Sequence, residues 1–240
     1  MRPTHDAETR PTLNESPQLE DLTSVNAFLT LKRSHLALIA RNLSVGRSAR
    51  VVARNLLAVN HYYVMEVRLN GSTAAPKTRL PTGELSLLTA EDIEDLKSQL
   101  MTFTDDDRKE LLARILFYEK GFHNCYVYKV DGNIAFMQWI IYPEENRLIQ
   151  KTLKRRFPPV KEKQVMIENA FTFPRYRGFG LMQFVSIEIL KVVKAEGYKS
   201  AVCYVIKENV NSLNNLMQIG FKIRKLLKEH KVLGYVWRDC

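Results

Sequence analysis

Residues 165–184, VMIENAFTFPRYRGFGLMQF, decide how this chain is read. Positions 165–173 are rich in β-branched and aromatic residues and are closed by Pro174, which predicts a strand. Arg177-Gly178-Phe179-Gly180 then opens an apolar run of helical character, so the stretch reads as strand, glycine turn, helix. Glycines let the backbone approach a ligand closely. The first N–H groups of the helix have no intrahelical partner, and the helix dipole adds positive potential there. A diphosphate suits such a turn. Neither common nucleotide pattern fits, because no Lys-Ser/Thr follows the glycines and no third glycine completes a dinucleotide fingerprint.

Working outward, the helix is expected to end near Gly197, with a short apolar strand at 200–206 after it. Asn209-x-x-Ser212 then opens a second helix that stops at Gly220-Phe221. On the other side, Asp131-Gly132 between two apolar runs, 124–130 and 133–141, predicts a hairpin. Farther back, HYYVMEVRL at 61–69 alternates weakly and is expected to be the first strand of the sheet, followed by a loop with Pro76 and Pro81. Thr89 and Thr104 each precede carboxylates in what should be the first turn of a helix, so the acidic clusters read as caps in preference to metal ligands. The last segment should supply two strands around Lys231, with Lys222, Arg224, Lys225 and Lys228 as a basic cluster.

The segment Pro174-Arg175-Tyr176-Arg177-Gly178-Phe179-Gly180-Leu181-Met182 resembles the coenzyme A loop of the GNAT superfamily of N-acyltransferases, Gln/Arg-x-x-Gly-x-Gly/Ala. Arg177 and Gly180 match its first two fixed positions, while Met182 stands where the third is usually small. The eleven-residue step from Asn209 to Gly220 is also the family's spacing. By order of elements the resemblance runs from about Phe122 to the C-terminus, and it is motif-specific only over about 165–221.

The resemblance implies an α/β (α+β) fold: a mixed, mostly antiparallel sheet of about seven strands, splayed between strands four and five and flanked by helices. It implies acetyl-CoA or another acyl-CoA as co-substrate, no metal, and an amine acceptor that is a small molecule or a peptide. The backbone of Phe171, Thr172 and Phe173 would hold the pantetheine arm, with one N–H polarising the thioester oxygen. Arg177, Gly178, Phe179, Gly180, Leu181 and Met182 would hold the diphosphate, and Asn209 and Ser212 would complete the cofactor cleft. Where the family often places a tyrosine acid, seven residues after the asparagine, this chain has Leu216. Tyr204, Tyr176 or solvent could protonate the thiolate instead, a mild requirement for a thiol of ordinary pKa near ~8.5.

Glu168 is the candidate base: a carboxylate in an otherwise apolar strand should either pair or have its pKa raised into a useful range. A structural hydrogen-bond role is the alternative. Asn169 could orient substrate or bridge a water. The nearest variant that the resemblance implies takes a longer acyl chain from an acyl carrier protein, as do family relatives that make acyl amino acids or homoserine-lactone signals. A non-catalytic coenzyme A-binding regulatory module is a second class, motivated by the missing tyrosine.

The 240 residues, 45% hydrophobic and 26% charged, bound a globular chain without a run of about eighteen apolar residues, so no membrane span is expected. Residues 1–21 are polar and expected to be disordered, 22–59 to form a helical extension, and 60–240 the acyltransferase-like domain. The extension could cap a cleft, pack on the sheet or form the surface of a homodimer. Cys125, Cys203 and Cys240 lack metal-site spacing and are odd in number, which favours a reducing compartment and a cytoplasmic location. The net charge of +10 lies entirely in residues 121–240, the half with the glycine turn. Its densest part is Arg147, Lys151, Lys154, Arg155, Arg156, Lys161 and Lys163 in the insertion 144–163, expected to be helical up to Pro158-Pro159. This is a solvated face, or a docking surface for an acidic carrier or the cofactor's phosphates. Nucleic acid is the least favoured partner, since no recognition motif accompanies the charge.

Overall fold

The computed structural model describes residues 57–70, 80–153, 157–232 and 235–239. The expected tail, most of the helical extension, Cys240 and the charges at 154–156 lie outside the described residues.

The strands are β1 (Leu57–Arg68), β2 (Glu84–Leu87), β3 (Cys125–Val130), β4 (Asn133–Ile141), β5 (Gln164–Thr172), β6 (Ser200–Ile206), β7 (Lys222–Val232) and β8 (Tyr235–Asp239). Among them lie α1 (Ala90–Gln99), α2 (Asp105–Glu119), α3 (Asn146–Thr152), α4 (Leu181–Ala195) and α5 (Val210–Gln218). The strands make one eight-stranded sheet in the order β2-β3-β4-β5-β6-β1-β7-β8. Every neighbouring pair is antiparallel except β5 and β6, which α4 connects as the crossover a parallel pair requires.

Local chemistry accounts for the element boundaries. Thr89 and Asp92 form a reciprocal capping box at the start of α1, and the Thr104 hydroxyl accepts from the Asp107 N–H at the start of α2, as the hydroxyl-plus-carboxylate pattern predicts. Asp131 and Gly132 both have positive φ, 49° and 75°, which a two-residue turn matched to the strand twist demands. Gly180, at φ 72°, is the N-cap of α4.

Three expectations are corrected. The sheet has eight strands where about seven were expected, because β2 is a short edge strand without a β-branched residue and reads as loop. The first strand starts at Leu57, inside the segment expected to be helical, and sits in the sheet's interior between β6 and β7. Side chains on both of its faces are buried, Tyr62 and Val64 on one and Met65 and Val67 on the other, which is why its alternation is weak. Lys231 lies within β7, which runs to Val232, and β8 begins at Tyr235.

Each sheet face has its own core. Leu112, Leu116 and Phe117 of α2, with Ile93 of α1 and Ile149 of α3, pack on Tyr62, Trp139, Met166 and Leu227. Val185, Ile189 and Val193 of α4 and Leu213 and Leu216 of α5 pack on Met65, Ile140, Val165 and Cys203 of the opposite face. The stiff helix layers hold β5 from both sides, so the place where it leaves β6 is fixed.

Candidate active site

β5 and β6 pair only at Gln164–Ser200, Val165–Ala201 and Met166–Val202. Beyond Met166 the two strands part, and the expected splay is found. A cleft of about 570 Å³ opens there, lined by both strands, α2 and the start of α5.

β5 keeps its bond to β4 beyond the fork only through a bulge. Glu168 is opposite Trp139 and Phe171 opposite Met137, so Asn169 and Ala170 together face Gln138. Asn169 has φ 56°, a left-handed conformation that asparagine tolerates better than most residues. The bulge turns the carbonyls of Asn169 and Ala170 toward α2, where Arg114 holds both: Nε donates to Asn169 O at 3.1 Å and Nη2 to Ala170 O at 2.8 Å. Glu110 orients that guanidinium from the previous helical turn at 2.6 Å, and the Phe171 ring lies 4.8 Å beneath it. Asn169 thus occupies the left-handed position of the bulge and also lines the cleft. Arg114 was not legible in the sequence, where it is one more basic residue on a helix.

The glycine turn and the start of α4 present mostly main chain. Phe184 N–H makes the first α4 bond, to Gly180 O at 3.2 Å, so the N–H groups of Leu181, Met182 and Gln183 precede any intrahelical bond. A Cβ built on Gly178 would meet nothing within 4 Å, so this glycine faces open space, and its φ of 84° is what favours glycine there. Phe179 is exposed, Leu181 is buried in the core, and Met182 lines the cleft. Arg177 pairs with Asp107 of α2 and donates from Nε to Thr172 O at 3.2 Å, which ties the glycine turn to two rigid elements. Across the cleft the Asn209 side chain accepts from the Ser212 N–H at 2.9 Å and caps α5, and Gln183 of α4 donates to Asn215 of α5 at 2.9 Å. Phe171 and Thr172 line the cleft, but Phe173 does not. The Phe173 ring is buried against Phe103 and Phe171, and its N–H donates to Ala135 O at 3.0 Å.

The other end is built from side chains on the sheet face that carries α2. Glu168 is half-buried, yet its Oε1 is shielded from solvent and has no hydrogen-bond partner among the described residues. Burial pushes its pKa up to about 8, against the opposing pull of the Arg238 charge and the backbone N–H groups of Tyr204 and Asn169. Tyr204 faces Glu168 across the fork and packs edge-on against Phe157. Leu216 of α5, which belongs to the opposite-face core, also borders the cleft. Arg238, on β8, reaches the cleft over Tyr62 and Tyr204. Burial pushes the thiols of Cys125 and Cys203 well up, which suits small core residues and not nucleophiles. Arg147, Lys151, Lys161 and Lys163 all point to solvent.

Among solved structures, the chain is similar to a GCN5-related glucosamine N-acetyltransferase region of a fungal multi-domain GH3 β-N-acetylglucosaminidase, at 11% identity and TM-score 0.50, covering 77% of this chain and 22% of that one. It is also similar to a GCN5-related N-acetyltransferase from Sphaerobacter thermophilus, at 12% identity and TM-score 0.47 over 80% of this chain and 58% of that one. A GNAT-family acetyltransferase from Colwellia psychrerythraea aligns at 9% identity and TM-score 0.45 over 78% of this chain and 61% of that one. In each case the match spans less than two thirds of the other chain. No family model matches the chain, and no curated protein does. The likeness is one of fold: the mixed, mostly antiparallel sheet with its flanking helices is shared with the GCN5-related glucosamine N-acetyltransferase region. Among the described residues, no helix is long and apolar enough to cross a membrane.

Proposed function

We propose that this chain is an N-acyltransferase that moves an acetyl or other acyl group from a coenzyme A thioester to an amine. The observation that carries the reading is the fork after Met166, with the open glycine turn and the start of α4 along one arm and a shielded carboxylate on the other. Coenzyme A supplies the activated thioester when bound. Its diphosphate fits the N–H groups of Leu181 to Gln183, and its pantetheine arm fits between the parted strands beside Phe171 and Thr172.

The acceptor arrives as an ammonium ion and must lose a proton before its nitrogen can attack. Glu168, whose burial keeps it basic, takes that proton. The nitrogen then bonds to the thioester carbon, and a backbone N–H of the bulge polarises the carbonyl oxygen. Arg114 contributes by holding the neighbouring carbonyls away from that oxygen. The C–S bond breaks, the sulfur leaves with the electron pair, and the second nitrogen proton is lost as the thiolate gains one from Tyr204 or solvent. No metal is required in this scheme.

The test is thiol release and product mass after incubation with acetyl-CoA, a long-chain acyl-CoA or an acyl-loaded carrier protein, each with a mixture of primary amines. Product from one donor class supports the reading and sets acyl length. Absence of thiol release and product with every donor and amine contradicts it.

A further inference from the structure

Arg238 has more hydrogen-bonding capacity than the fold uses. Its Nε and Nη2 both donate to Glu229 Oε2, at 2.9 and 2.8 Å, and Glu229 is fully buried. Its Nη1 is also buried but has no partner among the described residues. The guanidinium is boxed by three rings, Phe157 at 4.7 Å, Tyr62 at 4.9 Å and Tyr204 at 5.6 Å, and its side chain is only 9% exposed. An orphaned donor on a charged, nine-tenths-buried group is costly unless a ligand satisfies it. The same cleft holds a second orphan of opposite kind, Glu168 Oε1.

We infer that the acceptor is an amino acid or similar zwitterion, whose carboxylate bonds Arg238 Nη1 and whose amine lies at Glu168. This rests on the acyltransferase reading and adds the acceptor's chemical class. The rigid Arg238–Glu229 pair is electrically neutral, and so is a zwitterion, which brings both signs into a shielded site together. A bare amine would leave Nη1 unsatisfied. A phosphate would want several donors, and only one nitrogen of this fork is open.

The experiment is calorimetric titration of the full chain, with coenzyme A present, against the protein amino acids, each paired with the amine left when its carboxylate is removed. At least one amino acid should bind about 10- to 100-fold more tightly than its paired amine, the usual worth of a hydrogen bond to a charged group. Arg238→Lys keeps a positive charge opposite Glu229 but has no second fork, so it should erase most of that difference without loss of fold by circular dichroism. Equal binding of acid and amine, binding of no amino acid, or an undiminished preference in Arg238→Lys each overturns the inference. The wild-type comparison stands even if the variant misfolds. Thiol release with simple amines alone would sink this inference and leave acyl transfer intact. Amino-acid binding without thiol release from any donor would do the reverse.

Discussion

The two ends of the cleft are made from different materials. At the end proposed to take the diphosphate, the free groups are peptide N–H groups and glycines at 178–184, contiguous in the chain and held by Arg177 on Asp107. At the other end they are side chains from β1, β5, β6 and β8, brought into a row only by the sheet, with Glu229 of β7 buried behind Arg238. Backbone recognition constrains conformation and leaves most side chains free to vary. Side-chain recognition depends on buried charges, and it breaks when one partner is removed. Substitutions should therefore separate the two ends cleanly.

The largest effect is expected at Glu168. Glu168→Gln should lower kcat by about 10²- to 10⁴-fold, the usual worth of a positioned base, with coenzyme A affinity unchanged by titration. Equal loss of cofactor binding would show that the two ends are not separable. Next is Glu229→Ala, which strands the Arg238 charge and should cost ~3–5 kcal/mol in denaturant unfolding. A change below 1 kcal/mol, on the order of a surface pair, would mean that Arg238 finds other partners. Gly178→Val puts a β-branched residue at φ 84°, and should cost ~1–2 kcal/mol of stability while raising KM for the thioester and sparing acceptor binding.

The smallest effect is on pH dependence. With Glu168 at about 8 when folded against an ordinary 4.5, the folded chain holds this proton more tightly than the unfolded chain. Its contribution to stability is complete below pH 4.5 and declines as pH rises through about 8. The melting temperature should carry that slope in the wild type and lose it in Glu168→Gln. Turnover should run the opposite way, rising toward pH 8 as the base ionises. A turnover profile that is flat between pH 6 and 8 would contradict the base role.

The same contrast explains what the sequence revealed. The glycine turn was legible because its physics is local: strand, two glycines and an apolar helix are adjacent in the chain. The Asp131-Gly132 hairpin and the Thr89 and Thr104 caps were legible for that reason too. Glu168 stood out because a carboxylate in an apolar strand is anomalous in sequence alone. Arg238, Glu229 and Tyr62 were not legible, since 167 residues separate Tyr62 from Glu229 and nothing short-range marks their meeting. β1 was visible as a strand, but its place between β6 and β7 is a property of long-range pairing. Arg114 was hidden because the bulge it braces exists only once β4 and β5 are in register.

The central claim is that amides at the start of α4 bind a diphosphate and so lay a thioester in the fork. Titration of the chain with coenzyme A and with pantetheine, which lacks the diphosphate, tests it directly. Coenzyme A should bind at least about 100-fold more tightly, the worth of two or more charge-assisted hydrogen bonds. Equal affinity for the two, or no binding of either, would contradict the account.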